Sequence, residues 1–310
     1  MPIRSRKSQR RPRPYRKVPR RRMSTRNLIV ACIIGLVAVI ALSGVSVLVY
    51  ISIAPGIIQE RVYREAITLF ENGDYVAAKT AFENLGEFSD APLRVKECQN
   101  HLDYQEAELL LSSRKYDKAL RLFSSLAAIE FLDSKDKASQ CQYALAMSDF
   151  EAGNLEQAFY GFQILGDYSD AVSRAESCLA AYPEQGVLYR NPGYGSTLVT
   201  LLIDATASEL PFYLKLFNND THVASLFIHP GGESTIKLPA GTYTIKEAYG
   251  EHWFGDDLLF GSKGFYGIML FENDSESVHF ERFYEYTLRL FSSSSGNVGN
   301  KPTDKDSFVG

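Results

Sequence analysis

The spacing Tyr-x2-Ala-x8-Tyr-x2-Ala-x3-Phe-x2-Leu, met first at Tyr63, restricts the middle of this chain to repeated helix pairs. It runs Tyr63, Ala66, Tyr75, Ala78, Phe82, Leu85 and returns without a gap as Tyr104, Ala107, Tyr116, Ala119, Phe123, Leu126. A third copy reads Tyr143, Ala146, Leu155, Ala158, Phe162, Leu165. Tyr and Ala three residues apart share a helix face. Ala78, Ala119 and Ala158 predict close helix approach, with Phe82, Phe123 and Phe162 filling the space one turn on. Gly73 and Gly153 stand where the chain must reverse, and the second copy uses Ser112-Ser113-Arg114-Lys115 there instead. One such pair cannot bury its apolar face alone, whereas three stacked pairs can. The pattern therefore predicts an α-solenoid of three helix-turn-helix repeats over 57–182.

After the second helix of each pair comes Gly86-Glu-Phe88-Ser-Asp90, matched by Phe131-Leu-Asp133 and Gly166-Asp-Tyr168-Ser-Asp170. The Asp residues read as helix N-caps, and each new helix runs on into the next Tyr-x2-Ala. Cys98, Cys141 and Cys178 each follow those Asp residues by eight positions. Equivalent positions of successive units lie too far apart for a disulfide, so these cysteines are expected to be small buried hydrophobes.

The array resembles the tetratricopeptide repeat family, whose second helix carries Tyr-x2-Ala-x3-Phe after a Gly-containing turn. Ala66, Ala107 and Ala146 fall at its small first-helix position. The resemblance implies an antiparallel helical array with a concave groove for peptides or proteins. The unit here is about 40 residues where the family's is 34, and the family's first-helix Trp is replaced by Tyr.

Twelve of the 33 Lys and Arg lie in residues 1–27, which hold no Asp or Glu, so the other 21 face all 37 acidic residues. This basic segment, rich in Pro, is expected to be disordered and cytoplasmic, lying against anionic lipid headgroups rather than nucleic acid. Leu28–Ile53 is apolar and uncharged, and about 20 such residues suffice for a bilayer. A single transmembrane helix over 28–53 is therefore expected, in a multi-domain protein of the cell membrane. The flanking charge asymmetry puts the N-terminus inside and everything past about residue 54 outside the cytoplasm.

Beyond Tyr182-Pro183 the apolar period becomes two-fold. Strands are predicted at Thr197–Asp204, Phe212–Phe217, His222–His229, Glu233–Leu238, Thr242–Ala248, Gly267–Phe271, Ser277–Glu281 and Tyr284–Phe291. Together they predict an antiparallel all-β sandwich over 187–291. Leu238-Pro-Ala-Gly-Thr-Tyr243-Thr-Ile245 resembles the turn of transthyretin-like and carboxypeptidase-regulatory-like modules. Residues 292–310, rich in Ser, Gly, Asn and Lys, are expected to be a disordered tail.

The loop between Tyr249 and Tyr266 holds the chain's only Trp. His252, Trp253, Phe254 and Phe260 form a candidate aromatic contact surface for a sugar or partner, the other reading being a plug at one end of the sandwich. The sequence shows no zinc-protease, phosphate-loop, nucleophile-elbow or Cys-x2-Cys pattern, so catalytic, cofactor and metal residues are expected to be absent. The function expected is a membrane-anchored scaffold or adaptor that binds a protein or peptide through its repeats. The alternative is an envelope-glycan binder that uses the β-domain, with the repeats as spacer.

Overall fold

The computed structural model describes Ile34, Leu36, Ala38, Val39 and residues 56–195, 198–291 and 299–309. Among them no helix is long and apolar enough to cross a membrane. That finding overturns the expected single-pass membrane architecture and the localisation built on it. The apolar stretch 28–53 lies outside the described residues except for Ile34, Leu36, Ala38 and Val39, and the basic segment 1–27 lies wholly outside them. What stands is a helical region followed by a β-sheet region.

Residues 56–71 form α1, followed by α2 (Tyr75–Leu85), α3 (Ala91–Ser112), α4 (Tyr116–Ala127), α5 (Ser134–Glu151), α6 (Leu155–Gln163) and α7 (Ala171–Ser177). The first helix of each pair ends in the same way. Gly73, Arg114 and Gly153 adopt positive φ of 80°, 57° and 79°. Their amides bond back to Phe70, Leu111 and Phe150, while the next amides reach Leu69, Leu110 and Asp149. This double bond pattern satisfies carbonyls that a helix end leaves bare. It also turns the chain sharply enough for the second helix to return along the first.

The chain divides into two compact units, residues 1–101 and 102–310. The division falls inside α3, not at the change from helix to strand near 182–187. In the first unit, Ala66, Ala78, Phe82, Leu85, Ala91 and Cys98 form a buried core. In the second, Ala107, Ala119, Phe123 and Cys141 repeat that core, and Ala146, Ala158, Phe162 and Cys178 repeat it again.

The β region has ten strands among the described residues: β1 (Gly186–Arg190), β2 (Val199–Asp204), β3 (Phe212–Asn218), β4 (Thr221–Ile228), β5 (Glu233–Leu238), β6 (Gly241–Tyr249), β7 (Phe265–Leu270), β8 (Val278–Phe280), β9 (Glu285–Arg289) and β10 (Gly299–Pro302). One sheet runs β1-β4-β3-β6-β7-β10, with β8 also on β6; the other runs β5-β2-β9. Side chains of both sheets close over one core that includes Leu201, Ile203, Leu214, Leu226, Ile245 and Leu288. The all-antiparallel expectation fails at β2 and β9, which pair in parallel from Thr200↔Glu285 to Asp204↔Arg289. Period-two patterning defines the buried face of a strand and says nothing about the direction of its neighbour.

Tyr243, fully buried on β6, donates its hydroxyl to the Pro239 carbonyl at 2.9 Å. The Leu-Pro-Ala-Gly turn is thus held by a side chain two residues past it. The larger sheet is covered on its second face as well, by Trp253, Leu259, Phe260 and Phe308, which pack with Phe227, Ala248 and Tyr266. Phe308 belongs to a final helix, α8 (Lys305–Val309). Residues 299–309 are therefore ordered as β10 and α8, contrary to the expected disordered tail, while 292–298 and 310 lie outside the described residues. A polar composition hid a strand that needs only backbone pairing and a helix held by one Phe.

Candidate functional site

All nine packing positions, Ala66, Ala78, Phe82, Ala107, Ala119, Phe123, Ala146, Ala158 and Phe162, are buried. They frame each unit and present nothing to a ligand. Around them the repeat carries a polar device that the motif did not reveal. Tyr63, Tyr104 and Tyr143 donate their hydroxyls to the carboxylates of Asp90, Asp133 and Asp170. Each Tyr ring also meets the buried Phe of its unit edge-on, at centroid distances of 5.7, 5.6 and 5.6 Å. The hydrogen bond from Tyr63 holds the Asp90 carboxyl below its usual range, and Tyr143 does the same to Asp170. Asp133 and Asp170 sit at helix starts as expected, yet neither side chain caps its helix. Tyr143 and Arg174 claim the Asp170 oxygens instead, at 3.0 Å for the arginine.

Cys98, Cys141 and Cys178 are free and buried. Burial pushes each thiol pKa up, which leaves little thiolate for chemistry.

The aromatic loop is built into the fold more deeply than an exposed contact surface would be. Trp253, Phe254 and Phe260 are 2%, 4% and 2% exposed. Trp253 meets Tyr213, Phe227 and Phe260, whereas Phe254 meets Phe159 and Tyr160 of α6. The loop thus joins the third helix pair to the β-sheet. The Trp253 carbonyl accepts from the Ala180 amide at 2.9 Å, and Glu156 on α6 accepts from the Ser262 amide at 2.7 Å and from its hydroxyl at 2.5 Å. Gly261 has φ +67°, and a Cβ there would lie 2.7 Å from the Glu156 carboxyl carbon. Both the left-handed backbone and the close approach favour glycine.

This joint leaves a cleft of about 370 Å³. Its walls include Tyr160 and Gln163 of α6, Tyr249 and Phe265 of β6 and β7, and Glu251, His252, Phe260 and Lys263 of the loop. Tyr249 and Phe265 stack with centroids 4.7 Å apart, and the Lys263 ammonium stands 3.5 Å above the centre of the Tyr160 ring. Burial raises the pKa of the Tyr160 and Tyr249 hydroxyls, so both remain neutral donors near neutral pH. Of the four loop residues singled out in the sequence, His252 and Phe260 reach the cleft wall. Tyr160, Gln163, Tyr249, Lys263 and Phe265 carry no local signature, since only the folding of α6 against the loop brings them together.

Among the described residues no group of three or more His, Cys, Asp or Glu is placed to hold a metal ion. His222 instead bonds Ser225 Oγ at 2.8 Å, and His229 bonds the Pro183 carbonyl at 2.8 Å. No protein-family model, curated protein or solved structure matches the chain, so the likeness to tetratricopeptide repeats and transthyretin-like modules rests on the residues quoted above.

Proposed function

We propose that this chain is a non-catalytic adaptor that binds a protein or peptide segment through its tetratricopeptide-like helical repeats, with the α6 cleft as a contact site. The observation that carries this reading is the placement of Tyr160 and Gln163. They project from a repeat helix whose Ala158, Phe159 and Phe162 are committed to the core, and they line the cleft together with Lys263 and His252 of the loop, Lys263 standing over the Tyr160 ring. Aromatic rings beside donors and a cation suit a peptide, supplying contact area at low entropic cost and hydrogen bonds to its backbone.

The test is selection of a displayed peptide library on the full chain. Enriched peptides are expected to lose at least about tenfold in affinity for Tyr160→Ala and for Lys263→Ala, a drop of about 1.4 kcal/mol. Enriched peptides indifferent to both substitutions would overturn the assignment to this cleft.

The stacked Tyr249–Phe265 pair favours one second reading, a glycan lying on an aromatic wall of the same cleft. Binding on an oligosaccharide array that disappears with Phe265→Ala would select it over the peptide.

A further inference from the structure

The second face of the larger sheet carries a separate docking arrangement. Lys215 on β3 and Lys246 on β6 stand directly opposite each other in register. Like charges so placed destabilise a sheet unless something answers them. Here the answer is α8: Lys215 donates to the Val309 carbonyl at 2.8 Å and Lys246 to the Ser307 carbonyl at 2.5 Å. These are the carbonyls that the end of a short helix leaves free.

Phe308 fills the pocket beside the lysines. It is fully buried, edge-on to Tyr213 at 5.7 Å and tilted against Tyr266 at 5.8 Å. Asp304 accepts from the Ser307 amide at 2.6 Å and so closes the turn that aims Phe308 inward. Upstream, β10 adds antiparallel to β7 from Gly299↔Leu270 to Pro302↔Gly267. Every residue of β10 is exposed, and Phe308 is the only side chain of α8 that is buried. The segment is held as a bound peptide is, by strand addition, one aromatic anchor and charge-assisted bonds.

We propose that this face is a peptide-docking site, filled here in cis by residues 299–309, and that it accepts a partner segment of the same chemistry. Such a segment adds a strand to β7, turns on an acidic residue and seats an aromatic side chain between Tyr213 and Tyr266, with its carbonyls on Lys215 and Lys246. The chain's own segment then competes with the partner and sets its threshold, because tethering gives it a high effective concentration. The site is distinct from the α6 cleft, and its test does not depend on that reading.

A specific protease sequence inserted between Ser294 and Ser295 lets the tail be cut free of the full chain. After cutting, a fluorescent peptide Gly299–Gly310 is expected to exchange in. The same peptide with Phe308→Ala is expected to fail, and Lys215→Glu in the chain to weaken binding at least about tenfold. The peptide variant leaves the fold of the chain untouched, so a Phe308→Ala peptide that binds as well as the native one would overturn the proposal. So would a cut tail that never exchanges with excess peptide. Concentration-dependent dimers of the uncut chain, with the tail in trans, would overturn the partner in favour of a second copy.

Discussion

At the residue scale the repeat is a set of equivalent positions, and the exceptions within it are informative. Ser134 occupies the place of Ala91 and Ala171, directly after the Asp of its unit. It is fully buried, and its hydroxyl has no hydrogen-bond partner among the described residues. An orphaned hydroxyl costs about 1–3 kcal/mol, so Ser134→Ala is expected to stabilise the second unit by about 1 kcal/mol or more in urea denaturation. Arg114 holds the left-handed position that its two counterparts give to glycine. Arg114→Gly is expected to raise stability, by about 1 kcal/mol at most, because relief of left-handed strain is offset by the flexibility glycine adds to the unfolded chain. Gly153→Ala is expected to act in the opposite direction in the same measurement.

Glu247 is the chain's most perturbed carboxyl with a clear cause. It is 5% exposed, on the core side of β6, and burial lifts its pKa to about 7 while a hydrogen bond from Asn300 works the other way. Its folded pKa lies above the ordinary carboxyl value of 4.5, so between the two the folded state holds a proton that the unfolded state has lost. The resulting stability is fully present below about pH 4.5 and is lost as pH rises to about 7, on the order of 3 kcal/mol in all. Glu247→Gln is expected to flatten that part of a stability–pH profile and to raise stability at pH 8. An unchanged slope between pH 4.5 and 7 would refute the assignment.

At the scale of elements, the joint between α6 and the β6–β7 loop holds the cleft together. Glu156 receives two bonds from Ser262, and Gly261 lets the loop pass close enough to make them. Gly261→Ala meets both positive φ and a 2.7 Å approach, and is expected to destabilise by about 1–3 kcal/mol. Hydrogen exchange is expected to show the loss first in 250–264 and α6, with the sheet core protected. If exchange accelerates evenly throughout residues 102–310, the loop is not the local weak point described here.

The helix pairs were legible in the sequence because Tyr, Ala and Phe at fixed offsets leave few ways to bury one face. The eight predicted strands were legible through alternation, and all correspond to observed strands within a few residues, though Thr197 lies outside the described residues. β1 and β10 escaped. Four of the five β1 residues and all of β10 are exposed, so neither carries an alternating apolar signal. The Tyr–Asp bond escaped for a different reason: its partners lie 27 or 29 residues apart and meet only after the intervening helix has turned back.

For the whole molecule, the apolar stretch 28–53 implied a membrane architecture, and among the described residues no helix is able to cross a bilayer. The chain's own pattern was enough for helix pairs, buried cysteines and strand faces, because each follows from local periodicity acting on a nearby apolar surface. The division inside α3, the parallel β2–β9 pair, the cleft over α6 and the tail seated on Lys215 and Lys246 depended on the folded chain. The parallel pair, the cleft and the seated tail each join residues distant in sequence through backbone pairing or side-chain contact, and neither leaves a period to read.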